Sequence, residues 1–270
     1  MTGDADPDAL LALAVDLAGR AGRLVLDGRR AGVGDVDTKS STTDLVTAFD
    51  KAAERLIVDG LARHRPDDAV VGEEGADRAG TSGLSWFVDP IDGTTNYFYG
   101  IPQYAVSVGV ADEHGMVAGV VAAPAMDETF TARRGGGAFL NGLPIRVNQL
   151  TDVAKALVAT GFGYVAERRA YQSRVVANLL PHIRDIRRGG AASLDLCWVA
   201  CGRVDAYFEE GLNWWDMAAG ELVAREAGAA TGDYRGGPIG PADLLACSPG
   251  IAEALRGLLA AAGAVPARPA

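Results

Sequence analysis

The stretch WFVDPIDGTTNYFYG, residues 86–100, joins an apolar run to two carboxylates and then to a small polar turn. Proline fixes its own φ and pushes the preceding residue toward extended geometry, so Asp89 is expected to close a buried strand with its carboxylate at the sheet end. Asp92 follows a turn through Pro90 and Ile91, which can aim both carboxylates and a free carbonyl at one point. Taken alone, an ordinary turn with a capping aspartate explains this pattern equally well.

The residues from Gly93 to Asn96 weigh against an ordinary turn. A small polar turn can present backbone N–H groups to an anion, particularly where a helix begins. Two carboxylates in a low-dielectric pocket repel each other unless cations lie between them. Carboxylates for cations beside amides for an anion are what metal-assisted phosphoryl transfer requires, because metal ions neutralise developing charge and generate a hydroxide nucleophile.

The composition is that of a globular protein with a large core. The chain has 270 residues, 49% hydrophobic and 22% charged, which suits one large domain or two closely packed ones. Its net charge of -10 opposes binding to nucleic acid or an anionic membrane and fits a site that gathers cations. Three cysteines make a disulfide framework improbable. With no secretory signal or membrane-spanning stretch at the start, a cytoplasmic protein is expected.

Hydrophobic periodicity predicts the elements of the first half. Residues 8–30 and 44–63 have helical spacing, and Asp50 lies beside the apolar stripe of the second helix. Short apolar runs predict strands, of which the last three form a meander, at residues 69–72, 86–88, 105–111, 116–123 and 129–132. This half is expected to pack helices on one mixed or antiparallel sheet.

Strands and helices alternate in the second half. Strands are predicted at 156–161 and 205–209, and helices at 166–180, 191–202, 214–228 and 249–263. The change of pattern near residues 145–151 predicts an N-terminal α+β half, 1–146, with most metal ligands. A C-terminal α/β half, 147–270, is expected to carry Asp216 and the residues that recognise the substrate.

Further acidic residues are expected to converge if a metal site is present. The sequence GEEG, residues 72–75, follows an apolar run and places Glu73 near a strand end. An exposed acidic turn explains GEEG better when it is taken alone. Asp216 stands at the head of a helix, where an aspartate usually serves as a cap. The histidines lie outside all these segments and are expected at the surface, whereas Trp214 and Trp215 are expected between helix and sheet.

Together, four segments resemble the inositol monophosphatase family of magnesium-dependent, lithium-sensitive phosphatases. They are DLVTAFD (44–50), GEEG (72–75), WFVDPIDGTTNY (86–97) and EEGLNWWDMAAGELVAREAG (209–228), in the family's order and spacing. The likeness extends over about residues 10–260. It implies a mixed α/β fold, the layered α-β-α-β-α sandwich of the inositol monophosphatase and fructose-1,6-bisphosphatase type, and a homodimer.

The resemblance implies two to three Mg²⁺ ions per site. Glu73, Asp89 and the carbonyl of Ile91 correspond to ligands of the first ion, which activates the attacking water. Asp89, Asp92 and Asp216 correspond to ligands of the second, which stabilises the leaving oxygen. A third, looser ion is usual near Glu73. An oxygen-rich site without His or Cys is appropriate for magnesium.

The resemblance also implies roles in catalysis and substrate binding. Asp50 and Thr94 match the pair that orients and deprotonates the water, and the amides of Gly93 and Thr94 match the phosphate cradle. Glu209 matches a glutamate that accepts hydrogen bonds from inositol hydroxyls, and Ala192 aligns with a backbone donor. The catalytic residues expected are therefore Asp50, Glu73 and Thr94, and the substrate-binding residues expected are Gly93, Thr94, Ala192, Glu209 and Asp216.

The expected activity is hydrolysis of myo-inositol monophosphate to inositol and phosphate by direct attack of a metal-activated water. Fructose 1,6-bisphosphate, histidinol phosphate and 3'-phosphoadenosine 5'-phosphate are alternative substrates, because related enzymes cleave them with the same metal core. A regulatory protein-binding role with a retained metal site is the alternative of another class. The expected partners are a small phosphate monoester and a second copy of the chain, with neither nucleic acid nor membrane.

Overall fold

A computed structural model of the protein describes residues 6–32, 36–38 and 45–264. Helices in these residues are α1 Pro7–Ala31, α2 Ala48–His64, α3 Thr94–Tyr99, α4 Ala166–Leu179, α5 Ala192–Ala200, α6 Trp214–Glu226 and α7 Ala252–Ala261. The strands of the first half are β1 Val36–Thr38, β2 Leu45–Thr47, β3 Ala69–Gly72, β4 Ser85–Asp92, β5 Ala105–Asp112, β6 Gly115–Ala123, β7 Glu128–Arg133, β8 Gly137–Leu140 and β9 Leu143–Ile145. Those of the second half are β10 Leu157–Thr160, β11 Asp185–Arg187, β12 Ala206–Glu210, β13 Ala230–Gly232 and β14 Asp243–Cys247.

Two large mixed sheets organise the fold. The first has seven strands in the order β3-β4-β5-β6-β7-β8-β9, in which β3 and β4 are parallel and the other neighbours antiparallel. The second has five strands in the order β11-β10-β12-β14-β13, with β10 parallel to both of its neighbours. Strands β1 and β2 form a separate antiparallel pair.

Alternation along the strands produces five layers. In β5, Val106 and Val108 pack with α1 and α2, whereas Ala105 faces the opposite core, which contains α5 and α6. In β12, Tyr207 faces the α5 and α6 core, whereas Phe208 packs with α4 and α7. The order of layers is therefore helices, sheet, helices, sheet, helices, which confirms the predicted sandwich.

The second predicted helix starts later than expected. Residue 44 lies outside the described residues, residues 45–47 form β2, and α2 begins at Ala48. The Thr47 hydroxyl accepts a hydrogen bond from Phe49 N at 3.1 Å, and Thr47 N donates to Asp50 Oδ2 at 2.8 Å. This capping box sets the start of α2. The apolar spacing of the residues before Ala48 therefore placed the predicted start of the helix too early.

Strand β4 is longer than expected. Rather than ending at Asp89, it continues to Asp92, and its register against β5 shifts between these two residues. Pro90 lacks an N–H, and an irregularity in the ladder is where a strand tolerates such a residue. Both carboxylates consequently belong to one strand end.

Several short strands were not predicted, namely β8, β9, β11, β13 and β14. The β8–β9 hairpin turns at Asn141 and Gly142, both with positive φ, so its Asn-Gly pair was a usable signal. The meander of β5 to β7 and helices α1, α4, α5 and α6 match their predictions closely, whereas the last predicted helix, 249–263, opens with a 3₁₀ turn at Pro249–Ile251. The division into halves 1–146 and 147–270 stays a prediction. Helix α6 belongs to the second half but packs against the first sheet as well as the second.

Candidate active site

The ends of β3 and β4 and the starts of α5 and α6 enclose a cavity of about 440 Å³. Every residue singled out for metal or substrate binding borders it: Glu73, Asp89, Ile91, Asp92, Gly93, Thr94, Ala192, Glu209 and Asp216. The predicted catalytic Asp50 lies behind Thr94 and is fully buried. The structure thus brings together residues that are far apart in the sequence.

Backbone pairing between β3 and β4 places the first two acidic residues side by side. Because these strands are parallel, they reach the cavity with the same ends, and Glu73 N donates to Val88 O at 3.1 Å. Asp89 Oδ1 accepts a hydrogen bond from Ile91 N at 3.0 Å, which holds its carboxylate over the irregular strand end. Glu73 and Asp89 are therefore neighbours on one wall.

Asp92 connects this strand end to helix α5. Its Oδ1 accepts from Ala192 N at 3.1 Å, and its Oδ2 accepts from Ser193 N at 2.7 Å and from Ser193 Oγ at 2.5 Å. The N–H of Ala192, expected to face a substrate, points at Asp92 in this structure. Sequence reasoning did not identify Ser193, since no local pattern relates it to a residue 101 positions earlier.

Asp216 lies where it can serve both as a helix cap and as a metal ligand, the two explanations considered for it. It is the third residue of α6, and its Oδ2 accepts a hydrogen bond from Asn213 N at 2.5 Å, as a helix cap does. The same side chain borders the cavity, opposite the end of β4. Capping thus holds the carboxylate in the place where a metal ligand is expected.

Asp50 and Thr94 form a hydrogen-bonded pair, although 44 residues separate them. Thr94 Oγ1 lies 3.1 Å from Asp50 Oδ1 and 3.0 Å from the carbonyl oxygen of Ile91. The other oxygen of Asp50 accepts from the backbone N–H and hydroxyl of Thr47. Of this pair, only Thr94 borders the cavity. Asp50 is therefore connected to the cavity through the Thr94 hydroxyl.

Burial and mutual repulsion raise the pKa values of the clustered carboxyls. The pKa of Asp89 is well above its usual range because of burial first, and then because of the charges of Glu73 and Asp92. Burial likewise raises the pKa of Asp92 to about 6, although the Ser193 hydrogen bonds oppose the shift. Burial is also the main cause of the raised pKa of Asp216, with smaller contributions from neighbouring carboxylates.

This donor set fits a divalent, oxygen-seeking cation. Within the described residues, no group of three or more His, Cys, Asp or Glu side chains is drawn together closely enough to hold a metal as it stands. The carboxyls nevertheless border one cavity and resist joint ionisation there, and a cation between them would relieve that repulsion. Mg²⁺ fits because it prefers carboxylate and carbonyl oxygen and retains several waters.

Glu209 borders the same cavity as the clustered carboxyls. The hydroxyl of Tyr207 donates to Glu209 Oε2 at 2.6 Å. Gly161 borders this side chain so closely that a Cβ there would collide with Oε2. Burial raises the pKa of Glu209 to about 7, against the opposing effect of the Tyr207 hydrogen bond. The group is consequently a hydrogen-bonding side chain whose charge changes near neutral pH.

Three further residues of the cavity were not assigned to it from the sequence. Arg168 of α4 and Arg188 border it, and their positive charges lower the pKa of Glu209. Trp215, which was expected to pack between helix and sheet, also borders the cavity. No local pattern could have found Arg168, because α4 reaches the site only through the packing of the second sheet.

Residues outside the acidic segments behave as expected. All three histidines are exposed, and the three cysteines are free. Burial raises the pKa of Cys197 well above its usual range, as suits a small core residue. None of the described helices is long and apolar enough to cross a membrane.

The fold and the cavity together define the class of protein: a layered α/β protein with acidic side chains gathered at strand and helix ends. The chain belongs to the inositol monophosphatase family, whose model matches residues 6–265. That family consists of metal-dependent phosphatases, so the chain is a hydrolase of this type.

Relatives agree with this assignment over most of their length. An inositol-1-monophosphatase of Mycobacterium leprae is 44% identical, over 93% of this chain and 94% of that protein. The extragenic suppressor protein suhB of Bartonella henselae has a similar crystal structure, with a TM-score of 0.87 and 35% identity over 93% of this chain and 98% of that one. A protein of Pasteurella multocida named Nus factor SuhB is 40% identical, over 84% of this chain and 86% of its own length.

Proposed function

We propose that the protein is a Mg²⁺-dependent phosphomonoesterase that hydrolyses myo-inositol monophosphate to inositol and phosphate. One observation carries the proposal: acidic side chains from three separate segments border one cavity, which Glu209 also borders. The proposed metal ligands are Glu73, Asp89, Asp92, Asp216 and the carbonyl of Ile91. Bound Mg²⁺ would supply positive charge that acidifies water and stabilises charge on the phosphate oxygens.

The contacts of Asp50 and Thr94 suit a role in placing the attacking water. When the Thr94 hydroxyl donates to Asp50 Oδ1, its oxygen lone pairs are free to accept a hydrogen bond from water in the cavity. Asp50 itself is held by hydrogen bonds from Thr47, so the Thr94 oxygen that donates to Asp50 has little freedom to move. A water held in this way is oriented toward the phosphorus, with its proton directed at Thr94 Oγ1.

The turn that begins α3 suits the phosphate. Gly93 has φ +89°, and a Cβ there would lie 3.1 Å from the carbonyl oxygens of Gln103 and Gly190. Glycine therefore allows the backbone to stay close to both loops. The N–H groups of Gly93 and Thr94 are proposed to receive the phosphate oxygens, with the metal ions balancing their charge.

Glu209 is proposed to receive the hydroxyl-bearing end of the substrate. A carboxylate accepts hydrogen bonds from ring hydroxyls, and a site built for hydroxyls rejects analogues that lack them. We expect Glu209→Gln to reduce kcat/KM for inositol monophosphate by about 10-fold or more, and to change kcat/KM for an aryl phosphate much less. Parallel steady-state assays on the two esters test this, and equal losses would show that Glu209 does not recognise the ring.

A panel of phosphate monoesters tests the proposed function directly. Purified protein is assayed for released phosphate with and without Mg²⁺, and then with Li⁺ added. Hydrolysis of inositol monophosphate that requires Mg²⁺ and is inhibited by Li⁺ is the expected result. Absence of hydrolysis for every ester at saturating Mg²⁺ would contradict the proposal, and preference for another ester would correct the substrate.

The arginines of the cavity favour a second candidate, a sugar bisphosphate such as fructose 1,6-bisphosphate. Arg168 and Arg188 border the cavity and lie close enough to Glu209 to lower its pKa. Arginine binds phosphate well, so a second phosphate could reach these side chains. In the same panel, a kcat/KM for the bisphosphate above that for inositol monophosphate would support this candidate.

The relatives named Nus factor SuhB favour a candidate of another class, a regulatory protein-binding role. The relative from Pasteurella multocida carries that name at 40% identity. Protein that hydrolyses no ester of the panel, yet is still stabilised by Mg²⁺, would favour this candidate over the phosphatase.

A further inference from the structure

Helix α2 contains a second buried acidic residue, Glu54, one helical turn after Asp50. Its side chain is 3% exposed. Glu54 Oε2 accepts a hydrogen bond from Glu74 N at 2.8 Å, and Oε1 accepts from Ala76 N at 3.1 Å. One carboxylate thus holds two backbone N–H groups of the turn that follows Glu73.

The end of β3 is shaped to admit this carboxylate. A Cβ on Gly72 would collide with Glu54 Oε2, so only glycine leaves room for the carboxylate beneath the turn. From the same turn, Asp77 Oδ1 accepts a hydrogen bond from Gly72 N at 3.2 Å. The backbone on either side of Glu73 is therefore held by hydrogen bonds to acidic side chains.

We propose that Glu54 is a positioning residue that holds the Glu73–Ala76 turn so that the Glu73 carboxylate stays at the metal-binding wall of the cavity. The proposal rests on the proposed function, because it takes Glu73 as a metal ligand. Residues four apart on a helix lie on one face, so α2 presents Asp50 and Glu54 together. Through them a single helix contacts both Thr94 and the turn that follows Glu73, and Thr94 and Glu73 both border the cavity.

A structural role alone is the competing explanation, and the chain offers a matched control for it. Glu226 of α6 also accepts two backbone hydrogen bonds from a turn, from Gly135 N and Gly137 N, both at 3.0 Å. This turn does not border the cavity. Loss of Glu226 should therefore cost stability without changing the response to Mg²⁺.

The test compares Glu54→Gln with Glu226→Gln. Glutamine has one acceptor oxygen, and its NH₂ group would face an N–H of the turn, so the turn should loosen while the volume is kept. We expect Glu54→Gln to raise the Mg²⁺ concentration for half-maximal activity by about 10-fold, as the loss of outer-shell hydrogen bonds does in metal sites. KM for the ester at saturating Mg²⁺ should change little, and Glu226→Gln should keep the wild-type Mg²⁺ requirement.

Two further measurements separate this proposal from the proposed function. The rise in Tm on adding Mg²⁺ does not depend on turnover, and it should be smaller in Glu54→Gln than in wild type. Amide hydrogen exchange in metal-free protein should be faster at Glu74 and Ala76 in that variant. If wild type hydrolyses no ester but these two effects are seen, the proposed function fails and the positioning role stands.

Gly72→Ala provides an independent route to the same outcome. The added Cβ displaces the end of the Glu54 side chain without removing its charge, and we expect the Mg²⁺ requirement to rise as in Glu54→Gln. This variant also decides the matter if Glu54→Gln does not fold. A wild-type Mg²⁺ requirement and a wild-type Mg²⁺-induced rise in Tm, in whichever of the two variants folds, would overturn the proposal.

Discussion

At the scale of single residues, Asp92 combines a structural role with a place in the candidate site. Both of its oxygens accept hydrogen bonds from the start of α5, and it borders the cavity with the other acidic side chains. It therefore links the two halves of the chain as well as contributing charge to the site. Asparagine keeps its volume but removes both the charge and one of the two acceptor oxygens.

We expect Asp92→Asn to lower kcat by about 100-fold or more, because a charged ligand of the proposed metal site is lost. The fold should persist with a lower Tm, because asparagine has the same size and lacks the buried charge, but its NH₂ group would face a backbone N–H at the start of α5. Phosphate release at saturating Mg²⁺ measures the first effect, and a circular dichroism melt measures the second. A kcat near that of wild type would count heavily against the proposed site.

Glu209 makes the stability of the metal-free protein depend on pH. Burial raises its folded-state pKa to about 7, above the unfolded value of 4.5, so folding favours its protonated form. The stability that protonation contributes is present below pH 4.5 and is lost as pH rises toward about 7. Glutamine at this position carries no charge and should not suffer this loss.

The advantage of Glu209→Gln in free energy of unfolding should accordingly grow by roughly 2 to 3 kcal/mol between pH 5 and pH 8, measured with a chelator present. Urea denaturation at the two pH values provides the measurement. Wild type and variant with parallel pH profiles would show that the folded-state pKa of Glu209 is not raised.

At the scale of elements, helices α5 and α6 pack closely through glycine. A Cβ on Gly220 would lie 2.7 Å from the carbonyl oxygen of Ser193 and 3.0 Å from the Cβ of Leu196. The obstacle is partly backbone, so the helices would have to separate. Because these helices carry Asp216 and the donors to Asp92, their separation would also widen the site.

We expect Gly220→Ala to destabilise the protein by about 1 to 3 kcal/mol, as overpacking does in a filled core. Gly257→Ala in α7 is the matched control, since nothing lies within 4 Å of its added Cβ. That substitution should stabilise by about 0.5 to 1 kcal/mol through helix propensity alone. Chemical denaturation of both variants decides, and a Gly220→Ala protein as stable as Gly257→Ala would contradict the close packing.

At the scale of the whole molecule, the proposed metal ligands come from the ends of β3 and β4 and from the start of α6. They meet only in the folded chain, because β3 and β4 belong to the first sheet and α6 belongs to the helix layer between the two sheets. A cation that binds them should thus favour the folded state by mass action. Relief of the repulsion among the buried carboxylates contributes to the affinity for Mg²⁺.

Mg²⁺ at 100 times its dissociation constant should stabilise the protein by about 2.7 kcal/mol, which thermal melts detect as a rise in Tm. NaCl at the same ionic strength is the control, because screening alone does not require a site. Removal of Mg²⁺ by a chelator should reverse the rise. Equal effects of the two salts would mean that the carboxylates do not bind the metal as a set.

The amino-acid sequence by itself determined the local structure and the inventory of chemical groups. Apolar periodicity specified helices such as α1 and α4 and the meander of β5 to β7, because each pattern reflects which face of one element is buried. The acidic segment 89–96 was identifiable because its two carboxylates and the polar turn after them are adjacent in the sequence. Resemblance to a family then supplied the expectation that distant segments meet.

Only the tertiary structure decided which groups touch. Several contacts join segments that no periodicity relates. Ser193 contacts Asp92, Glu54 contacts the turn after Glu73, and Arg168 reaches the cavity. The short strands β11 and β13 likewise depend on pairing with distant partners. Such contacts follow from how five layers pack, and packing is a property of the whole chain, whereas periodicity is a property of each segment.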